Sequence, residues 1–282
     1  MATILKGAPV VAAMNRETAA RCQALIQQGV VPTLAVVRVG AREDDLSYEA
    51  GVIRRCEKVG VAVRRFLLPE DAPQAALEEC LAQVNRDPAL HGCLLFRPLP
   101  RHMDEAAVRA ALCPAKDVDG VTDASLAGVF ANTGAGFAPC TAQACLEILR
   151  HYQVPLSGAR VTVVGRSLVV GKPAAMLLDR ENATVTMCNS RTKNLPAVCR
   201  EADVLVVAMG RRAAIGAACL RPGQIVVDVG IHVDAEGRLS GDVDFAAAEP
   251  VVEAITPVPG GVGTVTTSVL VRHVVEAAER LR

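Results

Sequence analysis

The chain has 282 residues, 51 % of them apolar, and its basic and acidic side chains balance to a formal charge of zero. That is enough chain for one large or two ordinary domains with real cores, and it offers no electrostatic footprint for nucleic acid or an anionic membrane. Arg16 and Glu17 interrupt the apolar patch near the N-terminus, and nowhere do about twenty uncharged apolar residues follow one another, so a cytoplasmic protein with no membrane or nucleic-acid partner is expected.

β-Branched runs alternate with longer segments of helical period. In chain order the runs are Leu34 to Val39, Val61 to Leu67, Gly92 to Phe96, Arg160 to Val164, Thr184 to Cys188, Val204 to Ala208 and Gln224 to Val229. Between them, Leu46 to Val59, Gln74 to Arg86, Thr141 to His151 and Ala174 to Leu178 read as helices, and Thr267 to Leu281 as a C-terminal helix able to pack back on the first domain. Alternation of this kind predicts βαβ units and parallel sheets. The stretch Gly128 to Gly136 is glycine-rich and predicted irregular, with a domain change near residues 130 to 140. Ten cysteines lie mostly inside apolar segments without CxxC pairs, which predicts reduced, buried thiols. His91, His102, His151, His232 and His273 have no metal-ligand spacing, so no metal is expected.

A nucleotide signal stands in the second half. The strand at Arg160 to Val164 runs into Gly165-Arg166-Ser167-Leu168-Val169-Val170-Gly171 and then a helix. Such a loop turns backbone N–H groups and a helix N-terminus toward a phosphate, although its GxxxxxG spacing equally fits a tight βα turn. After the next strand the chain reads Asn189-Ser190-Arg191, where a dinucleotide fold places the adenosine ribose. An acid there would accept from the ribose 2′-hydroxyl. Ser190 and Arg191, with Arg166 nearby, can instead donate to a 2′-phosphate, which favours NADP, with NAD as the alternative.

At this point the chain resembles the methylenetetrahydrofolate dehydrogenase/cyclohydrolase family over essentially its full length. The resemblance rests on PTLAVVRVG at Pro32 to Gly40, KDVDG at Lys116 to Gly120, PCT at Pro139 to Thr141, GRSLVVGKP at Gly165 to Pro173, SRTKN at Ser190 to Asn194, DVGI at Asp228 to Ile231, GDVDF at Gly241 to Phe245 and TPVPGGVG at Thr256 to Gly263. It implies an α/β fold of two domains with a folate cleft between them. The folate-binding catalytic domain spans residues 1–136 and is completed by a C-terminal helix at 267–282; a Rossmann-type NAD(P)-binding domain spans 137–266. A homodimer formed through the nucleotide domains is also implied.

The family's chemistry has two steps. In the dehydrogenase step the methylene carbon between two folate nitrogens gives a hydride to nicotinamide, and positioning supplies most of the catalysis because no proton is abstracted. In the cyclohydrolase step water adds to the methenyl cation and the ring opens, which needs proton transfer. A lysine does that work in the family, four residues after a tyrosine on a helix and beside a glutamine from a QxPLP strand end.

Carried over residue by residue, Tyr48 matches the tyrosine that stacks on the aminobenzoyl group, and Asp119 the acid that accepts from the pterin; these two are the catalytic candidates. Pro257, Gly260 and Gly261 match the loop that approaches folate and nicotinamide, and Ile231 joins Gly165, Arg166, Ser167, Gly171, Ser190 and Arg191 as cofactor-binding candidates. The register set by Cys56-Glu57-Lys58-Val59-Gly60 puts Val52 at the lysine position, and Phe96-Arg97-Pro98-Leu99-Pro100 puts Phe96 at the glutamine position. Arg55 and Arg97 are the nearest alternatives, Arg97 expected to point to the other side of its strand, but arginine stays protonated and makes a poor base.

These residues lead to an NADP-dependent methylenetetrahydrofolate dehydrogenase with cyclohydrolase activity absent or very weak. Two alternatives stand beside it: a paralogous dehydrogenase whose pocket is rebuilt around Val52 and Phe96 for another substrate, and a non-catalytic scaffold binding folate or nucleotide. Retention of Tyr48, Asp119 and the GGVG loop argues against the scaffold. Asn189, Ala142 and Thr264-Val265 also depart from the family pattern while sparing its glycine framework. Asp228 and Asp242 are left outside the catalytic set, Asp228 being readable as a turn former.

Overall fold

The computed structural model describes residues 1–281. In chain order the elements are β1 (Thr3–Ile4), α1 (Gly7–Gln27), β2 (Thr33–Val39), α2 (Glu43–Val59), β3 (Ala62–Leu68), α3 (Gln74–Arg86), β4 (Gly92–Leu95), α4 (Glu105–Ala111), α5 (Asp123–Ala131), α6 (Cys140–His151), β5 (Arg160–Val164) and α7 (Gly171–Arg180). They continue with β6 (Thr184–Cys188), α8 (Leu195–Glu201), β7 (Val204–Val207), β8 (Ile225–Asp228), β9 (His232–Val233), β10 (Leu239–Ser240), α9 (Phe245–Ala248), β11 (Ala254–Ile255) and α10 (Val262–Arg280). No described helix is long and apolar enough to cross a membrane. Arg282, the last residue of the expected C-terminal helix segment, lies outside the described residues.

Two compact units emerge. One holds residues 13–140 and the chain from Thr267 onward; the other holds residues 1–12 and 141–266. The reading that joined residues 1–136 differs at its N-terminal end, because β1 pairs in parallel with β11, Thr3 opposite Ala254, and so adds a strand to the second unit's sheet. Nothing in residues 1–12 reads as a strand by periodicity, since two residues are too few to alternate.

In the first unit the parallel sheet runs β3-β2-β4. Its middle strand β2 is buried almost throughout, which explains the unbroken apolar run at Leu34 to Val37. Leu77, Leu81 and Val84 of α3 pack with Ala35, Val37 and Leu95 in one core. Helix α2 is tied to the sheet by the buried Glu49 carboxylate, which accepts from Arg38 Nε of β2 at 2.8 Å and from Arg65 Nε of β3 at 2.5 Å. That pairing fixes the rotation of α2 and hence where Tyr48 and Val52 fall. The stretch predicted irregular is helical in its first part: α5 reaches Ala131 and ends at Asn132 in the left-handed conformation. Gly128 is tolerated in α5 because the backbone at Ala135 crosses where its Cβ would be, so glycine there marks close packing and not a loop.

The second unit is a six-stranded parallel sheet in the order β1-β11-β8-β7-β5-β6. From β5 the chain moves outward to β6 and then returns past β5 to β7, so the order reverses at the carboxyl end of β5. Open α/β sheets bind ligands at such a switch point. Leu205 and Val207 of β7, Val226 of β8 and Ile255 of β11 supply its core. All ten cysteines are free, and most are buried.

Candidate active site

In the first unit the site is built from α2, the segment after β4 and the Lys116–Gly120 turn. Asp117 makes the turn: its carboxylate accepts from Val121 N (2.9 Å), Thr122 N (2.8 Å), Thr122 Oγ1 (2.7 Å) and Ser125 Oγ (2.6 Å). Lys116 anchors the same turn from below, its Nζ donating to Val84 O and Asp87 O. With these two flanking groups consumed by structure, Asp119 remains the candidate in KDVDG for a ligand contact. Burial raises its carboxyl to about 6, against the lowering effects of a hydrogen bond from Cys140 and the nearby Arg97 charge.

Tyr48 and Phe96 face one another in an edge-to-face contact, ring centroids 5.8 Å apart and planes at 63°. Tyr48 keeps 39 % of its surface exposed while Phe96 keeps 6 %. Burial of the hydroxyl end raises the Tyr48 phenol, with the charges of Asp119 and Cys140 adding to it, and the Thr267 hydroxyl works in the opposite direction. Val52, one turn further along α2, is wholly buried. Neither an amine nor an amide stands at the two positions where the family resemblance expects proton-handling groups.

Arg97 requires a correction. The expected strand ends at Leu95, so the alternation that was to turn Arg97 away from Phe96's side does not extend to it. Its guanidinium pairs with Glu105 at 3.2 Å and still lies near enough to lower the Asp119 carboxyl. Beyond the ends of β2, β3 and β4 lies a cavity of about 910 Å³ lined by Arg42, Glu70, Pro98, Leu99, Arg101 and His102 among others. Its residues come from three separated loops, two of which continue the PTLAVVRVG and Phe96–Pro100 segments.

In the second unit Gly165 ends β5 with φ +137°, and a Cβ there would stand 2.1 Å from Ala208 O at the end of β7. A Cβ at Gly171 would stand 2.3 Å from Gly165 O. The loop is thus pressed into the switch point with its backbone bare, a cradle that any side chain at either glycine would fill. Arg166 and Ser167 are exposed on it, and Ser167 Oγ accepts from Val170 N at 3.1 Å at the start of α7. After β6, Asn189 Oδ1 accepts from Arg191 N at 2.9 Å, an Asx turn that presents Ser190 and Arg191 to solvent. This arrangement fits a dinucleotide phosphate and an extra 2′-phosphate.

Pro257, Gly260, Gly261 and the exposed Ile231 line a separate cavity of about 220 Å³ in the same unit, with Asp228 at its base. Asp228 accepts from Gly230 N, Asp242 N and Val243 N, and Asp242 in turn accepts from Met209 N, Gly210 N and Arg211 N. Both acids therefore hold loops together. The N-terminal residues missed as structure clamp this loop: Gly7 N donates to Gly260 O at 2.8 Å. No described group of three or more His, Cys, Asp or Glu could hold a metal ion.

Residues 5–119 match the tetrahydrofolate dehydrogenase/cyclohydrolase catalytic domain, and residues 139–282 match that family's NAD(P)-binding domain. The chain belongs to the tetrahydrofolate dehydrogenase/cyclohydrolase family. It is 50 % identical to the bifunctional protein FolD of Carboxydothermus hydrogenoformans, over 100 % of this chain and 99 % of that protein. Among solved structures it is similar to the bifunctional FolD enzyme of Campylobacter jejuni, with a TM-score of 0.96 and 32 % identity over 99 % of each chain. The FolD of Trypanosoma brucei, solved with NADP cofactor and an inhibitor, gives a TM-score of 0.92 and 32 % identity over 99 % of this chain and 98 % of that one.

Proposed function

We propose that this protein oxidises methylenetetrahydrofolate to methenyltetrahydrofolate with NADP and hydrolyses the product poorly or not at all. The observation that carries the second half is the wholly buried Val52 one turn along α2 from Tyr48, with Phe96 against the Tyr48 ring, so that apolar side chains stand at both positions where a water-activating amine and its amide partner would be needed. Hydride transfer needs neither group. Bound nicotinamide supplies the hydride acceptor. The protein's own part is to hold the folate: Asp119 accepts from the pterin N–H groups, and Tyr48, braced by Phe96, offers its ring to the aminobenzoyl group. Pro257, Gly260 and Gly261 contribute close backbone approach with little side chain, and Ile231 an apolar surface for the cofactor.

The bare backbone at Gly165 and Gly171 supports a dinucleotide pyrophosphate site, and the Ser190–Arg191 turn with Arg166 supports NADP over NAD. We assign the protein to the cytoplasm as a homodimer, which light scattering of the purified protein tests. The deciding experiment follows reduced nicotinamide and the methenyl band together after mixing protein, methylenetetrahydrofolate and NADP. One-to-one accumulation, with methenyl decay no faster than without protein, supports the reading. Decay accelerated by the protein overturns the loss of hydrolysis, and no hydride transfer with NADP or NAD overturns the folate assignment in favour of another substrate.

A further inference from the structure

His232 stands next to Ile231 and has no part in the proposed function. Its imidazole reaches the wholly buried Asp242, with Nε2 2.8 Å from Oδ1. That acid is anchored on the fold, because Oδ2 accepts from Met209 N at 2.7 Å and Gly210 N at 2.9 Å while Oδ1 accepts from Arg211 N at 2.7 Å. All three donors follow the end of β7. With the carboxylate already receiving three hydrogens, the fourth contact is a donation, which puts a hydrogen on His232 Nε2. Gly230 makes the approach possible, since a Cβ there would stand 2.5 Å from Asp242 Cγ.

His232 opens β9, paired opposite Ser240 of β10. Successive residues of an extended segment face opposite ways, and the exposures follow: Ile231 keeps 59 % and Val233 66 %, whereas the His232 side chain keeps 23 %. Turning His232 in toward Asp242 therefore turns Ile231 out. The Ile231 side chain then lies over the glycine loop, its Cδ1 3.1 Å from where a Cβ on Gly263 would stand, and lines the cavity it shares with Pro257, Gly260 and Gly261. We infer that His232, held by Asp242, is a positioning residue for the nicotinamide end of the cofactor, setting the phase of β9 and with it the place of Ile231. This rests on the proposed reading that sets Ile231 against the cofactor. The Gly165–Gly171 loop and the Ser190–Arg191 turn follow other strands, β5 and β6, so their hold on the phosphates should not depend on His232.

The test compares two probes that share the 2′-phosphate end: NADPH, and 2′,5′-ADP, which has no nicotinamide. The chain has no tryptophan, so NADPH fluorescence is read against a low protein background, and calorimetry measures 2′,5′-ADP. H232L should weaken NADPH binding about tenfold, the low end of what one hydrogen bond to a charged group gives, and leave 2′,5′-ADP within about twofold. H232N, polar but too short to reach Asp242, should do the same. H232Q, whose amide N–H reaches about as far as Nε2, should stay near wild type. I231A/H232L should bind NADPH no more weakly than I231A, because the histidine acts through that side chain.

Equal weakening of NADPH and 2′,5′-ADP, unchanged NADPH binding in the leucine and asparagine variants, or no recovery in H232Q overturns the inference. If H232L does not fold, H232N and H232Q carry the comparison. If I231A binds NADPH as wild type does, the reading that sets Ile231 against the cofactor fails and takes this inference with it. If I231A weakens NADPH and H232L does not, that reading stands and the role of His232 alone falls.

Discussion

Tyr48 and Phe96 are in edge-to-face contact, 5.8 Å between ring centroids. A glutamine at 96 would leave Tyr48 without this brace, and aromatic pairs of this geometry contribute about 0.5–1.5 kcal/mol beyond their burial. The phenylalanine therefore does two things at once: it puts an apolar group where the resemblance expects a polar one and braces the ring proposed to stack on folate.

Restoring both polar groups should restore water chemistry. V52K/F96Q is expected to hydrolyse methenyltetrahydrofolate about a hundredfold faster than wild type, the low end of the range of about 10²–10⁴ that one general acid–base group gives. V52K alone should gain less and lose several kcal/mol of stability, because it buries an amine with no partner. Decay of the methenyl band with enzyme, and urea unfolding of each variant, read the two effects. If V52K/F96Q folds and hydrolyses no faster than wild type, the side chains at 52 and 96 are not what limits hydrolysis.

Cofactor preference should follow Arg191. R191A is expected to raise KM for NADP by about tenfold to a hundredfold, matching about 1.5–3 kcal/mol for a hydrogen bond to a charged group, while KM for NAD changes little. Steady-state rates with the two nicotinamides check this. Equal loss with both would mean that Arg191 supports the turn and does not read the 2′-phosphate.

The framework was legible because its causes are local. Gly165 and Gly171 stand in a strand–loop–helix order that a sequence displays, and Val52 is readable once Tyr48 fixes the phase of α2. What escaped depends on distant pairing. β1 is two residues long and is a strand only because β11 lies beside it, and α5 hides inside a glycine-rich stretch whose glycine serves packing. The expectation for Arg97 carried strand alternation two residues past the point where β4 ends. Cys140 was visible as a motif, but its partners His273 and Val118 are 133 and 22 residues away.

Asp228 links stability to pH. Burial first, and then the Asp242 charge, raise its carboxyl from 3.8 to about 6, against three backbone donors that lower it. The folded state thus holds this proton more tightly than the unfolded chain. Its stabilising contribution is complete below about pH 4 and is lost as pH rises through about 6, an effect of order 2–3 kcal/mol. D228N removes it, so the stability difference between wild type and D228N should shift in favour of wild type as pH is lowered from about 7 to about 5. Urea midpoints across that range measure it, and a difference independent of pH would show that Asp228 titrates normally.

Asp119 should set the acid limit of catalysis. Its carboxyl is also raised to about 6, but under the proposed function it is the ionised form that would accept the pterin N–H groups. kcat/KM for methylenetetrahydrofolate is therefore expected to fall about tenfold per pH unit below that value, since each unit leaves a tenth of the carboxylate. D119N cannot accept in the same bidentate way and should lose about two orders of magnitude near neutrality, with the acid limb gone from its profile. Because Asp228 titrates in the same range, an unfolding control at each pH separates loss of the site from any change in the fold. The assignment fails if D119N retains the limb, for the proton that governs activity would then sit on another group.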